Sequence, residues 1–221
     1  MSFEKNKYFV IKNAISKELA DFVYSYFIMK RQVARKLFDS KYISPFTTYW
    51  GVWNDHQVLE TYSHYGDVAM ETLLQKLKPL MEEKINLKLN CNYSYARIYK
   101  KGDVLEKHKD RFSCEISTTL NLGGDKWPIF LEPNENLGTF DKEGKYIPSE
   151  SNGVEINLEP GDMLVYRGNL LEHWRNSFQG ENCGQVFLHY NNIDTKNSDI
   201  NIYDTREFLG LPSHFRKFIV E

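Results

Sequence analysis

The stretch Leu89-Asn-Cys-Asn-Tyr-Ser-Tyr-Ala-Arg-Ile-Tyr99 alternates side chains with a period of two residues. Such alternation is typical of a β-strand that places one face against a core. The same period returns at residues 116–122 and 154–158, and short apolar runs follow at 129–131, 163–166 and 186–188. Turns containing Gly or Pro separate these runs, at 101–103, 123–125 and 159–162. We therefore predict closely spaced strands throughout residues 89–192.

This strand-rich region contains no alternation of strands with helices. Many short strands at close spacing favour a sandwich or a barrel, whereas a parallel sheet needs a helix between successive strands. Residues 133–153 are polar and rich in Gly, Asn and Glu, which predicts a long excursion between two strands, able to act as a flap.

The first 88 residues have a different pattern, which is mainly helical. After a short strand at residues 8–11, Ser16 is a candidate N-cap, and the residues that follow it place apolar side chains on one helical face. These side chains are Leu19, Phe22, Val23, Tyr26 and Phe27. A second helix is predicted around residues 70–80. We expect one domain, with a mainly helical flank (1–88), a β core (89–192) and a C-terminal segment (193–221) whose basic residues 206–217 are solvated.

Composition excludes several classes of protein. The chain has 221 residues, of which 41% are hydrophobic, and 28 Lys+Arg against 30 Asp+Glu. This excludes disorder and provides no broad positive surface for nucleic acid or membranes. It has no run of about 20 apolar residues and no signal-peptide pattern. Three cysteines do not make a disulfide framework. We expect a cytoplasmic protein without nucleic-acid or membrane partners, and the oligomeric state is left open.

One cluster of metal-ligating residue types stands out. His108-Lys-Asp110 follows a predicted strand, and His173 comes several strands later, behind Pro160-Gly-Asp. Residues i and i+2 of an extended segment project to the same side, so His108 and Asp110 can converge on one ion. Two imidazoles and one carboxylate are the facial triad of non-haem Fe(II) oxygenases, which leaves positions free on the ion. The alternative is a surface histidine in a Lys-rich turn. His189 is interpreted as a packed strand residue near this site.

Residues 93–190 resemble the 2-oxoglutarate and Fe(II)-dependent dioxygenase superfamily, nearest its prolyl 4-hydroxylase-like branch and bacterial and phage members of it. The resemblance lies in 93–103, 108–121, 160–167, 172–175 and 185–190. It implies an α+β, mainly β fold: a double-stranded β-helix (jelly-roll) core with flanking N-terminal helices. It also implies that His108, Asp110 and His173 are the catalytic iron ligands. Fe(II), 2-oxoglutarate and O₂ would be used to hydroxylate a C–H bond, with release of succinate and CO₂.

The resemblance leaves the co-substrate contacts open. Tyr99 resembles the tyrosine that hydrogen-bonds the co-substrate in prolyl hydroxylases. The family's basic residue beyond the distal histidine is absent, because residues 181–185 read Glu-Asn-Cys-Gly-Gln. A buried dicarboxylate needs a cationic partner. The candidates are Arg175, which we rank first, then Lys126, which resembles a lysine of the jumonji-type branch, and the strand residues Arg97 and Arg167. Gln185 offers a neutral hydrogen bond.

The substrate is expected to be a small molecule or a peptide, with a prolyl or other amino-acid side chain as the site of hydroxylation. Arg111 and residues 49–65, which are rich in aromatics, are candidates for specificity. Two other functions remain open. One is a cupin-like metal enzyme of the isomerase type that does not use 2-oxoglutarate, which the missing basic residue favours. The other is a non-catalytic jelly-roll binding module.

Overall fold

The computed structural model of the protein describes residues 3–44, 46–196 and 198–217. Its helices are α1 (Phe3–Asn6), α2 (Lys17–Asp39) and α3 (Val68–Ile85), with short 3₁₀ turns at Ile202–Thr205 and Ser213–Phe215. The strands of the described part are β1 (Tyr8–Ile11), β2 (Tyr62–Tyr65), β3 (Leu89–Lys100), β4 (Leu105–His108), β5 (Ile116–Gly124), β6 (Ile129–Leu131), β7 (Thr139–Phe140), β8 (Tyr146–Ile147), β9 (Val154–Ile156), β10 (Met163–Tyr166), β11 (His173–Arg175) and β12 (Asn182–Asn192). No helix among the described residues has the length and apolarity that a bilayer crossing requires.

Two antiparallel sheets form the core. The larger has the order β1-β10-β5-β12-β3-β2, and the smaller has the order β4-β11-β6-β9. Side chains from both sheets meet in shared apolar clusters: Leu105 of β4 packs with Phe187 of β12, and Leu131 of β6 packs with Leu164 of β10. The prediction of a mainly β, jelly-roll core with N-terminal helices is confirmed.

Alternation along the strands of the large sheet separates two buried faces. On β5, Ile116, Leu120 and Leu122 pack against the helices in the main apolar cluster. Between them lie buried polar residues such as Ser117 and Thr119. Successive side chains of a strand point to opposite faces, so this polar face points into the space between the two sheets. The interior of the jelly roll therefore contains hydrogen-bonding groups beside the apolar clusters that the two sheets share.

The helices cover the outer face of the large sheet. Ser16 caps α2 by accepting a hydrogen bond from the Leu19 backbone N–H at 3.2 Å, as predicted. Val23 and Phe27 are buried beneath α2. Phe22, which we predicted on the same face, is instead 69% exposed, because it lies too far around the helix from Phe27 to reach the sheet. The N-terminal 88 residues also supply β1 and β2 to the large sheet.

Part of the C-terminal segment packs on the core. Of the basic residues that we expected to be solvated, His214, Arg216 and Lys217 are exposed, but Arg206 is not. Arg206 is buried, its Nη2 lies 2.7 Å from Glu71 Oε1, and it also donates to the Asn92 carbonyl at 3.2 Å. Leu209 joins the main apolar cluster. A buried arginine requires a partner, and its partner here comes from α3, far away in the chain. The segment is thereby fixed against α3 and β3.

Candidate metal centre and its cavity

Strands β4 and β11 carry His108 and His173 and bring the two side chains together. β4 and β11 pair antiparallel with His108 directly opposite His173, and Asp110 follows the end of β4. The two imidazole centroids are 4.2 Å apart. Asp110 Oδ1 lies 3.8 Å from His108 Nε2 and 3.6 Å from His173 Nε2. One ligand atom from each residue lies within 4.8 Å of the others, a spacing that a single metal ion can bridge.

Each imidazole is oriented by a backbone carbonyl two residues upstream. His108 Nδ1 lies 2.7 Å from the Glu106 carbonyl oxygen, and His173 Nδ1 lies 2.9 Å from the Leu171 carbonyl oxygen. A carbonyl only accepts, so Nδ1 of each ring carries a hydrogen, and in the neutral form of such a ring Nε2 keeps its lone pair. Both Nε2 atoms face Asp110, and the protonation of each ring therefore suits metal binding.

Asp110 is fixed by its neighbours as well. Ser117 Oγ donates to Asp110 Oδ2 at 2.6 Å, and the Asp110 backbone N–H donates to the Gly168 carbonyl at 2.8 Å. A Cβ atom at position 168 would clash with Asp110 Oδ2 and Ser117 Oγ, so this position requires glycine. Ser117 Oγ also lies 3.1 Å from Nδ1 of His189, a buried residue of β12.

Burial and charge set the ionisation of the site. Burial, followed by the facing His173, lowers the pKa of His108 to about 4. Burial alone would raise the pKa of Asp110, but His173, and then His189 and His108, hold that pKa well below its usual range. A neutral imidazole beside an ionised carboxylate is the state in which both bind a divalent cation.

Replacing Ser117 with Ala is expected to weaken Fe(II) binding about tenfold, the lower end of the effect of losing a group that orients a ligand. The variant removes the hydrogen bond to Asp110 Oδ2 and leaves the three ligands in place. Fe(II) titration under anaerobic conditions measures the change. Ser94→Ala is the matched control, because Ser94 is a buried serine of β3 whose Oγ has no hydrogen-bond partner in the described part of the chain. Equal affinities for the two variants would contradict the assignment of Ser117.

A cavity of about 710 Å³ opens beside the three residues. His108, Asp110 and His173 form part of its wall, together with aromatic residues that include Tyr65, Tyr93 and Tyr166. Residues 51, 52, 54–57 and 63–65 also line it, so part of the aromatic-rich segment that we considered for specificity borders this space. His189 lies on the same wall, stacked on Tyr93 with centroids 4.5 Å apart. A volume of this size accommodates small organic ligands.

Arg175 is one of the largest fully buried side chains of the protein. It lies on β11 two residues after His173, and it donates to the Trp127 carbonyl and, at 3.4 Å, to Thr119 Oγ1. Its Nε has no hydrogen-bond partner, and no carboxylate pairs with it among the described residues. Burial lowers the pKa of Arg175, yet a guanidinium stays charged in proteins. Within the described residues, this buried positive charge is therefore not neutralised.

Tyr99 lies close to Arg175 but bonds to another arginine. Its hydroxyl accepts a hydrogen bond from Arg97 Nη1 at 3.3 Å, and its ring packs edge-on against Trp127. Burial raises the pKa of Tyr99, against the opposing effects of Arg97 and Arg175. Neither Tyr99 nor Arg175 lines the cavity as it stands. Tyr166, which does line it, packs edge-on against His173.

The other candidates for the distal carboxylate lie elsewhere or are already paired. The Lys126 side chain is 81% exposed, forms an ion pair with Glu159 at 2.9 Å and does not line the cavity. A lysine prefers the solvated edge when nothing buried neutralises it. The remaining candidates have partners, since Arg97 pairs with Asp55, Arg167 pairs with Glu115, and Gln185 hydrogen-bonds to Thr119, Asn121 and Cys183.

The excursion at residues 133–153 is tied to the strand that carries His173. Glu172 is fully buried and accepts hydrogen bonds from the Tyr146 hydroxyl at 2.8 Å and from the Ser149 backbone N–H at 2.9 Å. Lys107 of β4 donates to the Ser149 and Ser151 carbonyls. These contacts tie the segment that contains the β7–β8 hairpin to the residues immediately before His108 and His173.

Solved structures share this architecture over most of their length. The prolyl-4-hydroxylase of Pseudomonas putida matches with a TM-score of 0.53 at 13% identity, covering 86% of this chain and 95% of its own. The epimerase SnoN, solved with Fe³⁺, alpha ketoglutarate and nogalamycin RO, matches with a TM-score of 0.61 at 10% identity. The match covers 86% of this chain and 80% of SnoN. EctD from S. alaskensis, solved with 2-oxoglutarate and 5-hydroxyectoine, matches with a TM-score of 0.57 at 12% identity. The match covers 88% of this chain and 75% of EctD. The chain has the fold of these proteins.

No protein-family model matches the chain, and neither does any curated protein. Identities of 10–13% to these three structures establish the fold alone. The same fold supports different reactions, so function has to be argued from the site.

Proposed function

We propose that this protein is an Fe(II)- and 2-oxoglutarate-dependent dioxygenase that hydroxylates a C–H bond of its substrate. The convergence of His108, Asp110 and His173 on the wall of an open cavity carries the proposal. Three ligands of these types suit Fe(II) and leave positions on the ion for a bidentate oxoacid and O₂. Solved neighbours that contain iron or 2-oxoglutarate support this interpretation.

Arg175 supports 2-oxoglutarate as the co-substrate. A buried guanidinium without a carboxylate partner is costly unless an anion joins it. Its unpartnered Nε and its place two residues beyond His173 on β11 fit the distal carboxylate of a dicarboxylic acid whose other end reaches the metal. An isomerase that does not use an oxoacid would have no need of this charge.

When bound, iron would supply the oxidative chemistry in which O₂ and 2-oxoglutarate give succinate and CO₂, with one oxygen atom of O₂ entering succinate and the other the hydroxylated substrate. The chain supplies the surroundings. His108 and His173 bind through Nε2, each held by its upstream carbonyl, and Ser117 holds the carboxylate of Asp110. Arg175 binds the far end of the co-substrate, and Tyr166 shields His173 from water.

We place the reaction on an amino-acid side chain, free or in a peptide. The resemblance of residues 93–190 to the prolyl 4-hydroxylase-like branch supports this choice, as does the likeness to the Pseudomonas putida prolyl-4-hydroxylase. The substrate reaches the metal through the cavity, whose wall includes Tyr93 and Tyr65.

Anaerobic optical titration tests the proposed cofactors directly. Adding 2-oxoglutarate to the Fe(II)-loaded protein is expected to produce the absorption band of an iron-chelated keto acid, saturating at one equivalent. Glutarate, which lacks the keto group, is the matched control and should give no band. Admission of O₂ is then expected to release succinate. A cupin-like isomerase or a binding module would give neither band nor succinate, and that result would refute the proposal.

A further inference from the structure

The cavity wall beyond the metal centre combines two aromatic rings with two arginines. Tyr65 and Tyr93 stack with their centroids 5.1 Å apart. The guanidinium carbon of Arg111 lies 4.7 Å from the Tyr93 centroid, and that of Arg216 lies 5.8 Å from the Tyr65 centroid. All four residues line the cavity. Guanidinium groups beside aromatic rings are held in place without losing their hydrogen-bonding edges.

These two arginines share a single carboxylate. Asp204 Oδ1 lies 2.7 Å from Arg111 Nη2, and Asp204 Oδ2 lies 3.6 Å from Arg216 Nη1. The Tyr65 hydroxyl donates to Asp204 Oδ2 at 2.6 Å. Two guanidinium groups against one carboxylate leave one unit of positive charge on this wall.

No other cavity carboxylate within the described residues is free to cancel that charge. The acidic residues on the wall are Asp55 and Asp110. Asp55 forms a buried ion pair with Arg97 at 2.6 Å, and Asp110 faces the metal-binding imidazoles. Lys109 also lines the cavity. Its ammonium group donates to the Glu135 backbone carbonyl, which is neutral and does not cancel its positive charge. The excess is therefore positive and faces the cavity.

The backbone around Asp204 is unusual. Tyr203, Asp204 and Thr205 have φ angles of 55°, 55° and 64°. Three successive non-glycine residues in the left-handed region are energetically unfavourable. Strain of this kind persists where surrounding contacts hold it, and it concentrates at binding sites. The neighbouring Arg206–Glu71 ion pair holds this segment on the core. The position of Asp204 between the arginines is thus imposed by the fold.

We propose that the substrate carries a carboxylate group, which Arg111 and Arg216 bind while its reacting C–H bond faces the metal. The inference rests on the proposed function and names the substrate class of the same site. Arginine binds carboxylates through paired N–H groups, and both side chains are 44% exposed, so N–H groups remain available. At Arg111 and Arg216 themselves, the shared Asp204 leaves a surplus of one positive charge. That surplus matches a carboxylate, whereas a phosphate monoester carries a charge of about −1.5 to −2.

Matched pairs of compounds test the substrate class. Free amino acids, dipeptides and other small carboxylic acids are compared with their amides, and phosphomonoesters form a third set. The readout is succinate release above the rate with 2-oxoglutarate alone. We expect the best acid to exceed its amide at least about tenfold in kcat/KM, the effect of one lost charge-assisted hydrogen bond. Equal rates for acids and amides, a preference for phosphomonoesters, or no acid above background would overturn the inference.

Two variants localise the effect. Arg111→Gln and Arg216→Gln are each expected to raise KM for the acid about tenfold and to reduce the preference for acid over amide. Arg216→Gln is the cleaner of the two variants. Arg111 follows Asp110 directly in the chain, so its replacement can also disturb the metal ligands. Arg35→Gln, on the surface of α2 and paired with Asp39, is the matched control and should retain the preference. An unchanged preference in both cavity variants would refute the assignment.

The iron–keto acid band separates this inference from the function on which it rests. A normal band in both cavity variants shows that the metal centre is intact, so that a lost acid preference belongs to the arginines. A normal band without any acid preference overturns the carboxylate inference alone. Absence of the band in the unmodified protein overturns the proposed function as well.

Discussion

Arg175→Met is expected to raise the 2-oxoglutarate concentration needed for half-maximal succinate release by about 100-fold, since charge-assisted hydrogen bonds contribute about 1.5–3 kcal/mol each. Methionine has an unbranched side chain of similar length, so the variant removes the charge and largely keeps the volume. The change should appear in the 2-oxoglutarate dependence of both succinate release and the anaerobic absorption band. Fe(II) affinity without co-substrate should stay unchanged, because the three metal ligands are untouched.

Lys126→Met provides the matched control. It removes a positive charge that we also considered from the sequence, but from a side chain that is 81% exposed and paired with Glu159. We expect its 2-oxoglutarate dependence to equal that of the unmodified protein. The opposite pattern, with a defect in Lys126→Met and none in Arg175→Met, would show that the co-substrate lies elsewhere.

Stability distinguishes a ligand-binding arginine from a structural one. Arg175→Met loses the hydrogen bonds to Trp127 and Thr119, but it also removes a buried charge that has no carboxylate partner among the described residues. These effects oppose each other, so we expect the free energy of unfolding without co-substrate to change by less than about 1 kcal/mol. A loss of several kcal/mol in urea denaturation would indicate that the arginine mainly supports the fold.

The strands of the core were predictable because their side chains alternate. The apolar run at 163–166 coincides with β10, and residues 89–99 fall within β3. The alternation did not reveal what the polar face contacts. Period-two patterning is the same whether polar side chains meet water or the inside of a jelly roll. Only the pairing of sheets places Ser117 and Thr119 in the interior, beside the candidate site.

The three ligand candidates could be found from residue type and spacing, whereas the groups that orient them could not. The orienting acceptors are the carbonyls of Glu106 and Leu171, and a backbone carbonyl carries no residue-specific signal. Ser117 donates to Asp110, but nothing distinguishes it from other serines in alternating strands. Gly168, which follows β10, is required because its backbone approaches Asp110 closely.

The acidic and basic residues of the C-terminal segment show a further limit of sequence reasoning. A run rich in basic residues is usually solvated, so we predicted a solvated tail. Arg206 is instead buried against Glu71, 135 residues away in the chain. Pairings at such separation depend on how the whole chain folds. The same docking places Arg216 at the cavity and Asp204 against it, where the sequence indicated only Arg111 and residues 49–65.

His108→Ala is expected to lower succinate release at least about 1000-fold, because even a residue that merely orients a metal ligand contributes about 10–100-fold. The variant leaves one imidazole and one carboxylate for the ion, and it should also abolish the anaerobic iron–keto acid band. Added imidazole, which can fill the space left by the side chain, is expected to restore part of both signals.

His214→Ala is the control of matched chemistry, since His214 lies near Tyr49 and does not line the cavity. It should keep the band and the rate. The rescue by imidazole separates loss of a ligand from loss of folding, because a misfolded chain regains neither signal. Succinate release at the unmodified rate in His108→Ala would mean that the metal binds elsewhere. The pairing of β4 with β11, which sets His108 against His173, would then serve the fold and not catalysis.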